Sequence, residues 1–295
     1  MIRLPLIFIA VLIVLAPVLC NGNALGTQAF RSDQVDQLME SAMSSGLIAG
    51  GVVLVGTSKG VIFEKPYGRV AAEPGSRPMT LETIFDIASL TKVVATTPSI
   101  LKLAEQGRIS LVDPVRKWIP EFTHREDLLV WHLLTHTSGL DDFSLSSVNP
   151  MQSAVEGAAA QKTKGVVGSR FRYADINFIL LGEIVRRAST LPLDQYAALQ
   201  IFSPLAMRET VFNPDKERTL RCSTTVGGER NVYQGDVQDS LARQLGGVAG
   251  HAGVFSTAGD LGRFCMMILN RGESGGEMVL SPRTVEQMTA PYFAR

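Results

Sequence analysis

The sequence has few cysteines and histidines and no excess of charge of either sign. Three cysteines and four histidines occur among 295 residues, which excludes a disulfide scaffold and leaves little for a histidine-rich metal centre. The 28 basic residues are balanced by 28 acidic ones, and no basic run occurs. Nucleic acid is therefore excluded as a partner, as is an acidic membrane surface held by charge.

The remaining composition is that of a globular protein. Charged residues make up 19% and hydrophobic residues 45% of the chain, which excludes a disordered polypeptide. At about 150 residues per domain, the length predicts about two structural units or one two-lobed unit. Cys222 and Cys265 leave two alternatives open, a disulfide or two buried thiols.

The N-terminus resembles a leader sequence. Residues 4–19 are almost wholly apolar, follow Arg3 and precede a small polar stretch. This pattern predicts a signal peptide over residues 1–24, cleaved after Ala24, and a periplasmic or secreted mature chain over 25–295.

Three alternatives to cleavage after Ala24 stay open. Cleavage after Cys20 is one, and an uncleaved membrane anchor is another, although the apolar run is shorter than the about 20 residues that a spanning helix needs. The third is lipid attachment at Cys20, which Leu19 disfavours because it is bulky where such a site has a small residue. Only through this segment would the chain contact a membrane.

The pattern after the leader predicts a sheet portion followed by a helical portion. Two β-branched runs, 51–56 and 61–63, flank Thr57-Ser58-Lys59-Gly60 and predict a β-hairpin, which is marginal without further strands. We expect residues from about 30 to 84 to form an antiparallel sheet lobe and residues 85–295 a large helical lobe, with no strand after residue 260. The predicted helices are 32–45, 89–106, 128–134, 176–188, 194–201, 258–270 and 282–289.

Three serines compete as nucleophile. Ser58 fits the G-x-S-x-G pattern, but a strand follows it where the hydrolase elbow needs a helix. Ser89 and Ser99 each begin an S-x-x-K pattern, which a chain of this length shows about once by chance. Ser89 opens a predicted helix, where free backbone N–H groups stabilise an oxyanion, whereas Ser99 lies inside it.

The spacing of Ser89 and Lys92 suits nucleophilic catalysis. Residues three apart share a helical face, so a neutral Lys92 amine can take the serine proton. A second candidate group begins the next long helix, where Tyr173 presents a phenol and Asp175 is an N-cap candidate for the amides of Ile176 to Phe178.

Two histidine patterns are weaker. His132 and His136 have the spacing of a zinc pair, but Leu133 replaces the glutamate that such a site uses. His251-Ala252-Gly253 lies in a glycine-rich stretch without a strand pattern, and we interpret it as a structural turn. The sequence thus predicts neither a metal nor a cofactor.

Taken together, these segments resemble the serine β-lactamase and penicillin-binding-protein superfamily, in the branch of class C β-lactamases, D-peptidases and esterases. The resemblance implies a β-lactamase-like α/β (α+β) two-lobed fold, with Ser89 as nucleophile, Lys92 as general base and Tyr173 as proton relay. It also implies that Asp175, Leu140 and Asp141 contact the substrate. The resemblance rests on residues 85–92, 111–115, 132–140, 173–175 and 247–257.

Two departures from the family pattern shape the functional hypothesis. Asp175 stands where the family has asparagine, and a carboxylate cannot donate to an acyl carbonyl. This favours an esterase or peptidase acting on a small molecule or cell-wall peptide over a β-lactamase or D-alanyl-D-alanine carboxypeptidase.

The family's third box, Lys-Thr-Gly or His-Thr-Gly on a late strand, is not found. We therefore expect the C-terminal strands to be missing, and a non-catalytic scaffold is the remaining alternative. The oligomeric state stays open.

Overall fold

The computed structural model describes residues 30–162, 165–226 and 231–292. The predicted signal peptide lies outside these residues. Within them, no helix is long and apolar enough to cross a membrane. The helices are α1 Ser32–Ser44, α2 Thr97–Glu105, α3 Val130–Leu134, α4 Pro150–Ala160, α5 Asp175–Ser189, α6 Leu193–Ala197, α7 Lys216–Arg221, α8 Ser240–Gln244, α9 Ala258–Leu269 and α10 Pro282–Thr289. The strands are β1 Gly50–Thr57, β2 Gly60–Gly68, β3 Phe85–Asp86, β4 Val211–Phe212, β5 Thr225–Val226, β6 Val232–Tyr233, β7 Val254–Ser256, β8 Glu273–Ser274 and β9 Glu277–Met278.

The predicted hairpin forms one layer of the molecule. Strands β1 and β2 pair antiparallel, with Val53 opposite Lys65. Helix α1 packs on β2, where Tyr67 Oη donates to Asp36 Oδ1 at 2.6 Å. Helix α9 packs on β1, and a Cβ on Gly262 would lie 2.9 Å from Leu54 Cδ1. Thus α9, from the range expected to be helical lobe, lies against the hairpin.

The second layer is helical and surrounds α5. Twelve residues of α5 are buried, including Leu180 and Leu181, because its apolar side chains face α2, α3, α4 and α6. Burial of this apolar surface is the main source of stability for such a layer. The antiparallel hairpin layer and this helical layer give the expected two-lobed α/β fold.

Short strands interrupt the range that was expected to be helical. Strand β7 lies between β3 and β4 and pairs antiparallel with both. The expectation of no strand pattern beside His251-Ala252-Gly253 was therefore wrong, since β7 follows Gly253 directly. Strands β8 and β9, after residue 260, are a second correction. Runs of two or three residues are too short to show the period of a strand.

The helix expected over 89–106 is not regular. Ala88–Leu90 forms a 3₁₀ turn and Lys92–Thr96 a π-helical turn before α2 begins at Thr97. Pro98 lacks the backbone N–H that a regular helix would donate to Val94, so a wider turn is tolerated here.

Elsewhere in the described residues, Cys222 and Cys265 are free thiols rather than a disulfide.

Candidate active site

The Ser89 turn is fixed from below by Asp86. This buried carboxylate ends β3 and accepts the backbone N–H of Ala88 through Oδ1 and that of Gln238 through Oδ2, both at 2.8 Å. Burial raises its pKa. Ala88 adopts a φ of +46°, a conformation that L-residues rarely take. Asp86 therefore holds the strained residue that precedes Ser89.

Two polar groups meet at the Ser89 hydroxyl. Lys92 Nζ donates to Ser89 Oγ at 2.9 Å, and Tyr173 Oη donates to the same oxygen at 2.9 Å. Lys92 Nζ also lies 4.9 Å from the centre of the Tyr173 ring. The structure thus brings together the three residues predicted as nucleophile, base and relay, although 84 positions separate Ser89 from Tyr173.

Lys92 has an acceptor for each proton of an ammonium group. Besides Ser89 Oγ, Nζ donates to Asp175 Oδ1 at 2.7 Å and to the His251 backbone oxygen at 3.0 Å. The Lys92 side chain is only 5% exposed and that of Asp175 is 24% exposed. A buried ammonium needs such a counter-charge.

Asp175 is not the helix cap that was expected. Helix α5 begins at Asp175 itself, and its carboxylate binds Lys92 instead of the amides of the first turn. Asp142 Oδ1 accepts the Ile176 N–H at 2.9 Å in its place. Asp142 takes the capping role because Asp175 faces a buried cation, which binds a carboxylate more strongly than an amide does.

His136 lies behind Tyr173. The two rings stack with centroids 4.5 Å apart and an interplanar angle of 25°. Burial, together with the nearby Lys92 charge, lowers the pKa of His136 to about 4, so its ring is neutral at pH 7. Its Nδ1 accepts the Ala174 N–H at 3.2 Å, as His132 Nδ1 accepts that of Leu129 at 3.0 Å. Both histidines of the zinc-like pair therefore bind backbone amides.

His251 and Asp239 lie close to Asp175 in the site. His251 Nε2 lies 2.8 Å from Asp239 Oδ1. Burial alone would raise the pKa of Asp239, but the contact with His251, the Ala242 N–H and the nearby Lys92 charge together outweigh it and the pKa is lowered. Asp175, Asp239 and His251 have the donor atoms of a metal site. The Lys92 ammonium already binds Asp175, however, and supplies the positive charge that a metal ion would bring there.

The expected contact residues of the 132–142 segment differ in position. Leu140 is fully buried in the main hydrophobic cluster, so its side chain packs inside the helical layer and is not available to contact a substrate. Asp141 pairs with Arg172, and its backbone N–H and carbonyl bind the Gln161 side chain.

The competing serines lie elsewhere. Ser58 occupies the exposed turn between β1 and β2. Ser99 is buried and donates to the Ala95 carbonyl at 2.7 Å, while Lys102 donates to the Val279 carbonyl. Neither pairs with a base.

Sequence reasoning assigned no role to Asp86, Asn177 or Asp239, and considered His136 only as a zinc ligand. Asp86 and Asn177 left a signal, since each is a polar residue in an otherwise apolar segment. Asp239 lies in a polar loop, and nothing in its neighbours marks it.

A β-lactamase-type fold with a Ser-Lys-Tyr cluster defines a serine hydrolase of the β-lactamase and penicillin-binding-protein class. The model of the Beta-lactamase family matches residues 35–295, and the chain belongs to this family.

Named relatives and a solved structure agree with this membership. An N-acetylmuramyl-L-alanine amidase of Bacillus subtilis is 28% identical over 93% of this chain and 71% of its own length. A candidate D-alanyl-D-alanine carboxypeptidase of Escherichia coli K12 is 28% identical over 92% of this chain and 72% of its own. The octameric penicillin-binding protein homologue of Pyrococcus abyssi matches with a TM-score of 0.73 at 24% identity, over 89% of this chain and 61% of its own.

Proposed function

We propose that this chain is an exported serine hydrolase that forms an acyl-enzyme at Ser89 and hydrolyses an ester or amide. The observation that carries the proposal is the contact of Ser89 Oγ with both Lys92 Nζ and Tyr173 Oη, each at 2.9 Å. A hydroxyl held by two proton-transfer groups matches the requirement for an activated nucleophile.

Lys92 first passes one proton of its ammonium group to solvent, and in the first step Ser89 Oγ attacks the acyl carbonyl as the Lys92 amine takes the serine proton. The backbone N–H of Ser89 donates to the oxyanion that develops. Tyr173 gives its phenolic proton to the leaving oxygen or nitrogen, which departs as alcohol or amine, and Tyr173 is reprotonated by the proton that Lys92 took from Ser89, so Lys92 is an amine again. Water then attacks the acyl-serine ester, and the same groups return a proton to Ser89 Oγ, releasing the acid.

Asp175 limits the substrate range. Its Oδ1 accepts from Lys92 at 2.7 Å, and as a carboxylate it has no N–H to offer the carbonyl of a bound acyl group. We therefore propose an ester or a cell-wall peptide amide as substrate, in preference to a β-lactam. Asp141, beside Arg172, is proposed to contact the substrate at the edge of the active site.

Export is proposed from the apolar run at residues 4–19 after Arg3. The proposed organisation is a signal peptide over 1–24 and a hydrolase domain over 25–295, with a sheet portion from about 30 to 84 and a helical portion after it. Detection of a mature N-terminus at Leu25 in the extracytoplasmic fraction tests this proposal, and recovery of the intact chain from the cytoplasm contradicts it.

A D-alanyl-D-alanine carboxypeptidase is the second candidate, because a relative 28% identical carries that description. Release of D-alanine from diacetyl-lysyl-D-alanyl-D-alanine would favour the carboxypeptidase, and ester turnover without that release would favour the main proposal.

Parallel assays with p-nitrophenyl acetate and a chromogenic cephalosporin test the main proposal. We expect turnover of the ester alone, its loss in Ser89→Ala, and a lowered but measurable kcat in Tyr173→Phe. Cephalosporin turnover without ester turnover contradicts the substrate class, and full ester turnover by Ser89→Ala contradicts the mechanism.

A further inference from the structure

Tyr173 is an exposed side chain that must hold a precise position. It is 51% exposed, yet its hydroxyl donates to Ser89 Oγ at 2.9 Å. A tyrosine with that much solvent access retains rotamer freedom unless a neighbour restricts it. Displacement of a catalytic group by about 1 Å can cost about 100-fold in rate. The Tyr173 ring therefore requires a contact that restricts its rotamers.

His136 contacts Tyr173 and both of its chain neighbours. Its backbone carbonyl accepts the Arg172 N–H at 2.7 Å, and its ring Nδ1 accepts the Ala174 N–H at 3.2 Å. Between these two bonds, its ring stacks on the Tyr173 ring. One residue thus binds the backbone on either side of Tyr173 and supports the phenol itself.

A buried network fixes the orientation of the His136 ring. Asn177 Nδ2 lies 3.3 Å from His136 Nδ1 and donates to the Ala174 carbonyl at 3.1 Å. Ser138 Oγ donates to Asn177 Oδ1 at 2.5 Å. Because Nδ1 faces two N–H donors, it is the acceptor, and the proton of the neutral ring lies on Nε2. His136, Ser138 and Asn177 are all buried.

We propose that His136 is a positioning residue, which sets Tyr173 against Ser89 through its stacked ring and its two bonds to the flanking backbone. The inference rests on the proposed function, since Tyr173 is the proton relay proposed there. This role differs from the zinc binding that the spacing of His132 and His136 suggests.

A double-mutant cycle tests this proposal. We expect His136→Gln to lower kcat for the ester by about 10- to 100-fold with KM changed less than about twofold, because the substrate contacts remain while the relay moves. In a Tyr173→Phe background the same change should have no further effect on kcat. His132→Gln is the matched control, since His132 is also buried and also accepts a backbone N–H through Nδ1. It should leave kcat within about twofold when all variants are compared as folded protein.

Equal losses in the two histidine variants, or losses for His136→Gln and Tyr173→Phe that simply multiply, would overturn the positioning role. A readout independent of hydrolysis is the ¹⁹F spectrum of protein labelled with 3-fluorotyrosine, in which Tyr173→Phe identifies the Tyr173 signal. His136→Gln should shift or broaden that signal and His132→Gln should not. If the signal moves and Ser89→Ala still hydrolyses the ester, the proposed function fails while the positioning stands. If the signal is unchanged, the positioning fails whatever the activity.

Discussion

Lys92 Nζ lies 2.7 Å from Asp175 Oδ1, and this ion pair joins the turn that contains Lys92 to the start of α5. The resemblance implies an asparagine at this position, so the Asp175 carboxylate places a negative charge beside Lys92 where a neutral amide is expected. Removing one member of such a pair leaves the other without its counter-charge in a nearly buried place. Asp175 is therefore expected to stabilise the fold, and we propose that it also influences substrate choice.

Asp175→Asn should increase the rate at which benzylpenicillin acylates Ser89 by about tenfold or more, because the amide adds an N–H donor for the acyl carbonyl. The amide oxygen still accepts from Lys92, so ester hydrolysis should persist. A fluorescent penicillin followed by gel densitometry measures this rate. The control is Asp127→Asn, which removes a charge at a surface ion pair. Equal rates of penicillin labelling in the Asp175 and Asp127 variants would contradict a role for Asp175 in substrate selection.

Asp86→Ala should destabilise the fold by about 2–3 kcal/mol and slow Ser89 labelling, since the Ala88 and Gln238 amides lose their buried acceptor. Urea unfolding measures the first effect and fluorophosphonate labelling the second. Asp260→Ala is the matched control, because the buried Asp260 accepts the Glu209 N–H away from the site. It should lower stability without slowing labelling of the folded protein. A normal labelling rate in folded Asp86→Ala would show that Asp86 is not needed for the reactivity of Ser89.

The folded protein should lose stability through His136 as the pH falls below about 6.5. The pKa of His136 is lowered from 6.5 to about 4 in the folded chain, so the unfolded chain binds the proton first. Between pH 7.5 and 5 this contributes a loss of about 2 kcal/mol. His136→Gln should lack that contribution in urea titrations at the two pH values. His124→Gln, at an exposed histidine, controls for loss of an imidazole. The same pH dependence in His136→Gln and the unmodified chain would contradict the assignment.

Gly250→Ala should destabilise the fold by more than about 2 kcal/mol, because its Cβ would lie 1.9 Å from the Phe178 carbonyl oxygen on α5. It should also displace the adjacent His251 carbonyl that binds Lys92. Gly259→Ala in α9 is the control, since its Cβ would have ordinary contacts and alanine favours a helix. Thermal unfolding compares the two variants. A similar midpoint for both would mean that Gly250 is not needed for close packing on α5.

The sequence was sufficient to predict the elements that have a clear period and the residues that meet at Ser89. Helix α5 buries most of its apolar side chains and α9 buries Phe264 and Met267, so both appear as a helical pattern of residues, and the hairpin appears as two β-branched runs around a turn. Strands β3, β4 and β7 have two or three residues each, and their pairing depends on long-range contacts that no local pattern encodes.

The same limit applies to the site. Lys92 was expected from its spacing to Ser89, but its partner Asp175 is 83 positions away and was assigned to a helix cap. Local reasoning favoured the nearest unsatisfied amides, whereas in the folded chain a buried ammonium competes for that carboxylate.

Mass spectrometry after fluorophosphonate treatment shows directly whether Ser89 is the nucleophile. Attack by Oγ on phosphorus expels fluoride and leaves a phosphonyl group on the serine. The account predicts an adduct on the peptide that contains Ser89, none on Ser58 or Ser99, and loss of labelling in Ser89→Ala but not in Ser99→Ala. Undiminished labelling of Ser89→Ala would contradict it.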